Sequence, residues 1–469
     1  SSAASDVYKR QVLTSKTVNY YGKVKLAVAK EQVVFDNKEM MLKTDTLYFD
    51  RIKSIAYYPA DGTVYDSLTN INSKRGTYIS DAKKYKFEDN VVVTNPDFTL
   101  TSARMDFYTE TKHAFFYGAT TIIGEDYMVR CREGFYNTDK KEGYFKKNAS
   151  IDYNNRNIIG DSIYFNDTKK YASATQNIRI TDTINNSFIT GNYGQVFKEK
   201  DSAMVTHRAL AINLVELDSL FIHADTLIAT GPPERRIIRG FYDVRIFKED
   251  LSGKTDSIYF NQTSGRAKLI RRPISDRDLQ YLTPQEIADR NPILWSDESQ
   301  MTGDEIHLTI DNEKEVLDSL LIYNNAFVIE QDSLDAANFN QIKGLQLKGK
   351  FKGKSLETVD VIQNTEMVYY LYDDETLELT GIDKAICSAL RLDFVDSGIE
   401  KITFFTNPDG IVYPPEDLPE NTRQLLGFTW REDERIYSKE DLFHGIDLEH
   451  YSIKVKPAEI KGIPIELKR

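Results

Sequence analysis

One short run, Gly160-Asp161-Ser162-Ile163-Tyr164-Phe165, returns along the chain with the same rhythm. Thr44-Asp45-Thr46-Leu47-Tyr48-Phe49, Ala224-Asp225-Thr226-Leu227-Ile228-Ala229, Thr255-Asp256-Ser257-Ile258-Tyr259-Phe260 and Gly303-Asp304-Glu305-Ile306-His307-Leu308 repeat it. Ser102-Ala103-Arg104-Met105-Asp106-Phe107 is a looser copy. Alternation with period two marks a strand whose two sides meet different surroundings. A repeated strand cannot bury its apolar side alone, so the chain must stack its copies as rungs around one long core.

Read by that alternation, Leu47, Phe49, Met105, Phe107, Ile163, Phe165, Ile258, Phe260, Ile306 and Leu308 share an apolar side, with Asp45 on the same side as Leu47. Thr46, Arg104, Ser162, Ser257 and Glu305 take the other side. Tyr48, Tyr164 and Tyr259 join them and keep their hydroxyls in water. Each motif Asp is expected at the strand entrance, bonding nearby backbone N–H groups. Turns are expected at Asp61-Gly62, Asp89-Asn90, Asn137-Thr138-Asp139, Asn154-Asn155, Asn166-Asp167, Asn185-Asn186 and Asp311-Asn312. No helical period persists through this region, and open parallel sheets need crossover helices, so the expected sheet is antiparallel. The abundance of Tyr (28) and Phe (24) against Trp (2) fits half-buried pleated surfaces.

The first interruption is 271–299. There Thr283, Pro284 and Glu286 supply an N-cap, a first-turn proline and a first-turn acid, which predicts a short helix over 284–289. Strand patterning resumes at Thr302 and runs to about Val412. From 413 to 469 the composition shifts, and Arg423-Gln424-Leu425-Leu426 and Ser438-Lys439-Glu440-Asp441-Leu442 suggest a capping segment with two brief helices, ending in a charged tail. The polar start, 1–11, fits no repeat and reads as non-native; the native start and its export signal are read as missing from this chain.

The Asp-x-Leu/Ile-x-Phe strands at 45–49, 161–165 and 256–260 resemble the OstA-like (LptA) family, and with it the N-terminal domain of LptD. The small-residue alternation at Ala172-Ser173-Ala174-Thr175-Gln176-Asn177-Ile178-Arg179-Ile180 adds to the likeness. The resemblance covers most of 17–412. It implies an all-β, elongated β-jellyroll (β-taco) of stacked antiparallel strands. Here that reads as two consecutive units, 17–230 and 231–412, or one continuous unit, with the helical insertion and the C-terminal cap. It also implies a periplasmic protein that holds acyl chains of lipopolysaccharide in an apolar groove between two sheets. Other transport components, or further copies of the chain, would dock end to end. Such a groove would be lined by the ten apolar residues above. From the residues alone, a closed core in a structural or adhesive β-solenoid fits the same side chains.

A net charge of −12 argues against general nucleic-acid binding. Two cysteines, Cys131 and Cys387, make no disulfide framework and read as separate core residues. The six histidines show no zinc spacing, and there is no nucleophile elbow, phosphate loop or Cys-x-x-Cys. The chain therefore reads as a non-enzyme, with no catalytic, metal or cofactor site. A β-helical polysaccharide-cleaving enzyme would need a cluster of acids and bases on one sheet, and none can be assembled. Lys348, Lys350, Lys352 and Lys354 alternate, so they share a face. They are candidate phosphate or sugar contacts, or else the charges that protect an edge strand.

Overall fold

The computed structural model describes residues 11–445, apart from 154, 214–218, 272, 297, 312–315, 354, 374, 396–397, 417–418 and 420–421. Their 30 strands form one antiparallel sheet. Long strands such as Lys84–Asn95, Arg156–Asn166 and Ser202–Asn213 pair with both neighbours in sequence. The fold is the elongated all-β jellyroll of stacked antiparallel strands that the family resemblance implies.

The sheet is creased along its length. In alternate strands two successive residues sit at positive φ: Glu31-Gln32, Asp89-Asn90, Lys147-Asn148, Gln176-Asn177, His207-Arg208, Tyr242-Asp243, Asn324-Asn325 and Gln363-Asn364. Each pair is an interruption in the ladder, and the register shifts across it. Local twist rises at such bulges and the strand turns a corner. The two halves of every strand then face each other, and their inner side chains share one core running from Ala29 to Leu392. Short strands cover single halves: Thr17–Tyr21 pairs with one half of Leu26–Asp36 and Val12–Thr14 with the other.

The motif Asp lies at this crease and not at a strand entrance. Asp45, Asp161 and Asp225 are exposed where the register shifts, and the Asn177 amide donates to Asp161 at 2.8 Å. Here the two-residue rule breaks, so Asp45 faces water although Leu47 is buried. Asp89-Asn90 is likewise a crease inside a strand; Asn166-Asp167 and Asn185-Asn186 are true hairpin turns. Asn154 and Asn312 lie outside the described residues. The motif tyrosines face outward and pack across strands: Tyr48 stacks on Tyr57 at 4.9 Å, and Tyr164 meets Tyr144 at a tilt, also at 4.9 Å. Such cross-strand pairs stabilise each rung by about 0.2–1 kcal/mol. Cys131 and Cys387 are buried and unbridged, and burial pushes the Cys131 thiol up to about 12.

The ladder runs through residue 230 without a break, strand Leu220–Thr230 pairing with Ile237–Lys248. The insertion leaves and re-enters at the crease, between strands Arg266–Ile270 and Ile293–Ser296. Its helix Pro284–Ala288 is capped as expected, with the Thr283 N–H donating to Glu286 and the Glu286 N–H donating to the Thr283 hydroxyl. A further turn of helix, Asp276–Leu279, is capped by Ser275.

Beyond Tyr413 the chain does not cap an end. It doubles back as a strap across the outer face of the sheet. Leu425 packs on outward-facing Phe327, Ile329, Val368, Tyr370 and Ile382, and Trp430 meets Trp295 edge-on at 4.8 Å. Gln341 and Gln300 hold its backbone, and Arg431 reaches the carbonyls of Asp289 and Asn291 in the insertion. Arg245 donates to the His444 carbonyl at 2.7 Å. Residues 439–443 form the expected brief helix, of 3-10 type; 423–426 do not, and Glu432–Glu434 is the other short turn. The charged tail lies outside the described residues. Leu425→Ala should cost about 2–3 kcal/mol. Limited proteolysis should then cut 414–445 well before the sheet unfolds; simultaneous loss of both would mean that the strap is not a separate docking unit.

Candidate functional site: a clasped half and an open half

Folding each strand at the crease leaves two rows of turns, the lips of the fold, facing one another. Over the first half of the chain they are clasped by ion pairs between residues far apart in sequence. Lys83 pairs with Glu39 at 3.6 Å, Lys112 with Asp66 at 3.3 Å and Lys141 with Asp97 at 2.9 Å. Next come Lys198 with Asp126, Arg156 with Asp201 at 2.6 Å, and Arg236 with Asp182 at 2.9 Å. Exposed pairs are each worth little, about 0–1 kcal/mol. Arg236 is buried, and removing its partner would cost about 3–5 kcal/mol.

Burial pushes the carboxyls of Asp66 and Asp182 up, but other groups more than offset it, and both sit below the ordinary aspartate value. For Asp66 these are the N–H groups of Leu68 and Thr69 and the ammonium of Lys112; for Asp182 they are Asn185, Arg236 and the Ile184 N–H. A pKa depressed by folding adds stability above the unfolded value, roughly 3.9, and that stability is lost as pH falls through the folded value. Protection of the amides in turns 65–70 and 182–187, relative to their intrinsic exchange at each pH, should therefore fall below about pH 4. Protection that stays unchanged into acid would show that these carboxylates do not hold the lips.

Past residue 240 no such cross-lip ion pair occurs among the described residues, and the interior opens. A cavity of about 850 Å³ lies between the walls. Its sides are apolar, including Leu220, Leu251, Leu317, Leu320, Phe351 and Leu356. Leu220, Leu251, Leu317, Phe351 and Leu356 are only half-buried, so the hollow reaches solvent. One lip of its mouth carries Lys248, Asp250, Glu298 and Glu330, with Lys248 paired to Asp250 at 2.7 Å. Among the described residues, none of the strap lines it.

Of the ten apolar positions singled out in the sequence, Ile258, Phe260 and Leu308 line this cavity. Leu47, Met105, Phe107, Ile163, Phe165 and Ile306 are packed in the core, each 2% exposed or less, and are not among its lining residues. Phe49 is partly buried against the same core. Lys348, Lys350 and Lys352 do share one exposed face, the outer one, turned away from the cavity; Lys354 lies outside the described residues. Their strand, Phe339–Lys352, is paired on both sides and is not an edge. Among the described residues no three of His, Cys, Asp and Glu gather as a metal site would require. No helix there is long and apolar enough to cross a membrane, which says nothing of strands.

The family model described as OstA-like protein matches residues 10–103. That segment is OstA-like. It forms the beginning of the clasped half, and the cavity lies outside it. Among solved structures, one similar chain is LptH from Pseudomonas aeruginosa, described as the LptA homologous periplasmic component of the conserved lipopolysaccharide transport device. It aligns at 14% identity over 22% of this chain and 77% of its own, with a TM-score of 0.20. No curated protein sequence matches the chain. Beyond the OstA-like segment, the same creased ladder continues to Val395.

Proposed function

We propose that this protein is a periplasmic carrier in lipopolysaccharide transport, and that it receives acyl chains in the open half of the fold. The half-enclosed apolar cavity between the lips carries this reading. Burying a methylene is worth about 0.8 kcal/mol, so roughly ten methylenes would supply about 8 kcal/mol before ordering costs. A volume near 850 Å³ falls within the roughly 300–1,000 Å³ of ligand pockets. The charged mouth leaves a sugar headgroup in water. Such a carrier needs no chemical step, only burial and release.

The family likeness supports the direction, since the OstA-like segment sets the geometry that the open half repeats. The terminal half-strands Thr17–Tyr21 and Asp409–Tyr413 pair on one side only among the described residues, and they are the places where a neighbour in an end-to-end chain would add a strand. Photo-crosslinking tests the reading. A photoreactive residue at Phe260 should yield lipopolysaccharide adducts, and one at Lys350 on the outer face should not. Equal labelling from both positions would overturn the groove.

A further inference from the structure

The end of the strap is seated on a buried histidine. His223, on the outer face of strand Leu220–Thr230, is 1% exposed. The ring of Phe443, in the brief helix at 439–443, covers it at 4.8 Å, and Leu442 beside Phe443 is fully buried. The His223 Nδ1 lies 2.7 Å from the Ala209 carbonyl oxygen. A carbonyl oxygen only accepts, so Nδ1 carries the hydrogen and Nε2 is a bare acceptor in the neutral ring. That Nε2 is buried and has no hydrogen-bond partner among the described residues.

The charges around the ring are already committed. On one neighbouring strand Arg208 lies over Phe443, its guanidinium 4.6 Å from the ring centre. On the other, Arg245 donates to the carbonyls of His444 at 2.7 Å and of Asp441 and Leu442 at 3.4 Å. Asp243 accepts from Arg245 with both carboxylate oxygens, at 3.2 and 2.7 Å. On the strap, the Asp441 carboxylate accepts from the Ser438 N–H and hydroxyl at 2.9 Å, and Glu440 lies 3.9 Å from Lys439. On the histidine's own strand, Asp225 is exposed at the crease. Burial pulls the His223 pKa below the ordinary histidine value and Arg245 adds to this, while the Ala209 carbonyl, Asp243 and Asp225 offset it only in part. A proton taken from solvent would give Nε2 an N–H with no acceptor and place a third cation beside Arg208 and Arg245. A buried charge left so is costly, and lifting the strap end lets water reach it.

We propose that His223 is an acid-released latch: the neutral ring lets 439–444 dock on the sheet, and a proton on Nε2 drives that segment off. Arg435, on the same strap, donates to Glu298 at the mouth of the open cavity at 3.1 Å, so the latch sits on a segment that also braces that mouth. Its working does not depend on what the cavity holds.

The docked ring binds a proton less readily than the undocked one. Docking is therefore fully stable above the undocked value, roughly 6.5, and weakens as pH falls below it. Protection of the amides at 439–444, relative to their intrinsic exchange, should fall between about pH 7.5 and 5.5 by up to about tenfold, the most that one such group can give. His223→Asn keeps a donor for the Ala209 carbonyl but does not titrate, so its protection should stay level. His444→Gln, which removes the exposed histidine of the strap end, should behave as wild type. A reciprocal measurement needs no substitution at His223. Leu442→Ala loosens the strap end, and exchange at the histidine C2 position, read by mass spectrometry, should then find His223 titrating at higher pH than in wild type. Level protection in wild type, an equal fall in His223→Asn, a fall abolished by His444→Gln, or the same His223 titration in wild type and Leu442→Ala would overturn the latch.

Discussion

A Leu356→Asp protein is expected to lose its lipid and keep its fold. Leu356 stands half-buried near the start of strand Ser355–Tyr372, on the wall of the open cavity. In the free protein an aspartate there can turn to water at the mouth, so folding should change little. With an acyl chain bound, the carboxylate would be stripped of water against hydrocarbon. Even a modest desolvation cost of about 3 kcal/mol lowers affinity by roughly a hundredfold. Lys350→Asp is the matched control, since Lys350 is exposed on the outer face of the neighbouring strand. Native mass spectrometry of the gently purified proteins should find lipid on wild type and Lys350→Asp and none on Leu356→Asp. Lipid retained by Leu356→Asp would place the binding surface elsewhere.

The inward faces were legible because a strand has an invariant period. Once Ile163 and Phe165 are assigned to one side, Ile258, Phe260 and Leu308 follow, and all are buried. The crease was only partly legible. Asp89-Asn90 and Asn324-Asn325 are residues that tolerate positive φ, and they invite a reading as hairpin turns. Glu31-Gln32 adopts the same conformation with no such local signal; the geometry there is imposed by the strands on either side.

The clasp left no trace in local sequence. Arg236 and Asp182 are 54 residues apart and meet only because the crease folds one lip over the other. The strap was announced, but in another place. Ala326-Phe327-Val328-Ile329 and Met367-Val368-Tyr369-Tyr370 lack alternation, the pattern of a strand covered on both faces. What covers them is the segment around Leu425, Phe428 and Trp430.

Whether an apolar interior is solid or hollow depends on how closely two walls approach, and residue type alone does not fix that distance. In the clasped half Ala172, Ala174, Gly194, Ala203 and Ala211 are buried on the inner faces, and small side chains let the walls close on the large ones between them. In the open half Leu, Ile and Phe line a cavity of about 850 Å³ that they do not fill. The same strand motif therefore serves two purposes, support in one half and a hollow in the other.

Phe165→Ala separates these two roles. Phe165 is buried in the clasped half, its ring 4.7 Å from that of Tyr127. Removing it leaves a void that packed neighbours fill only in part, at a cost of about 3–5 kcal/mol. In a stacked array the loss should stay near the damaged rungs, because each rung contacts only its neighbours. Hydrogen exchange should rise sharply across strands Arg156–Asn166 and Tyr171–Asp182 and much less across Val316–Gln331 and Ser355–Tyr372. Lipid bound in the open half should remain. Were Phe165 instead part of an acyl-chain groove, truncation would merely widen a space already hollow. Exchange would then barely change in the lipid-free protein, and lipid would be lost. That pair of results would mean the clasped half opens in solution and that the whole fold is the carrier.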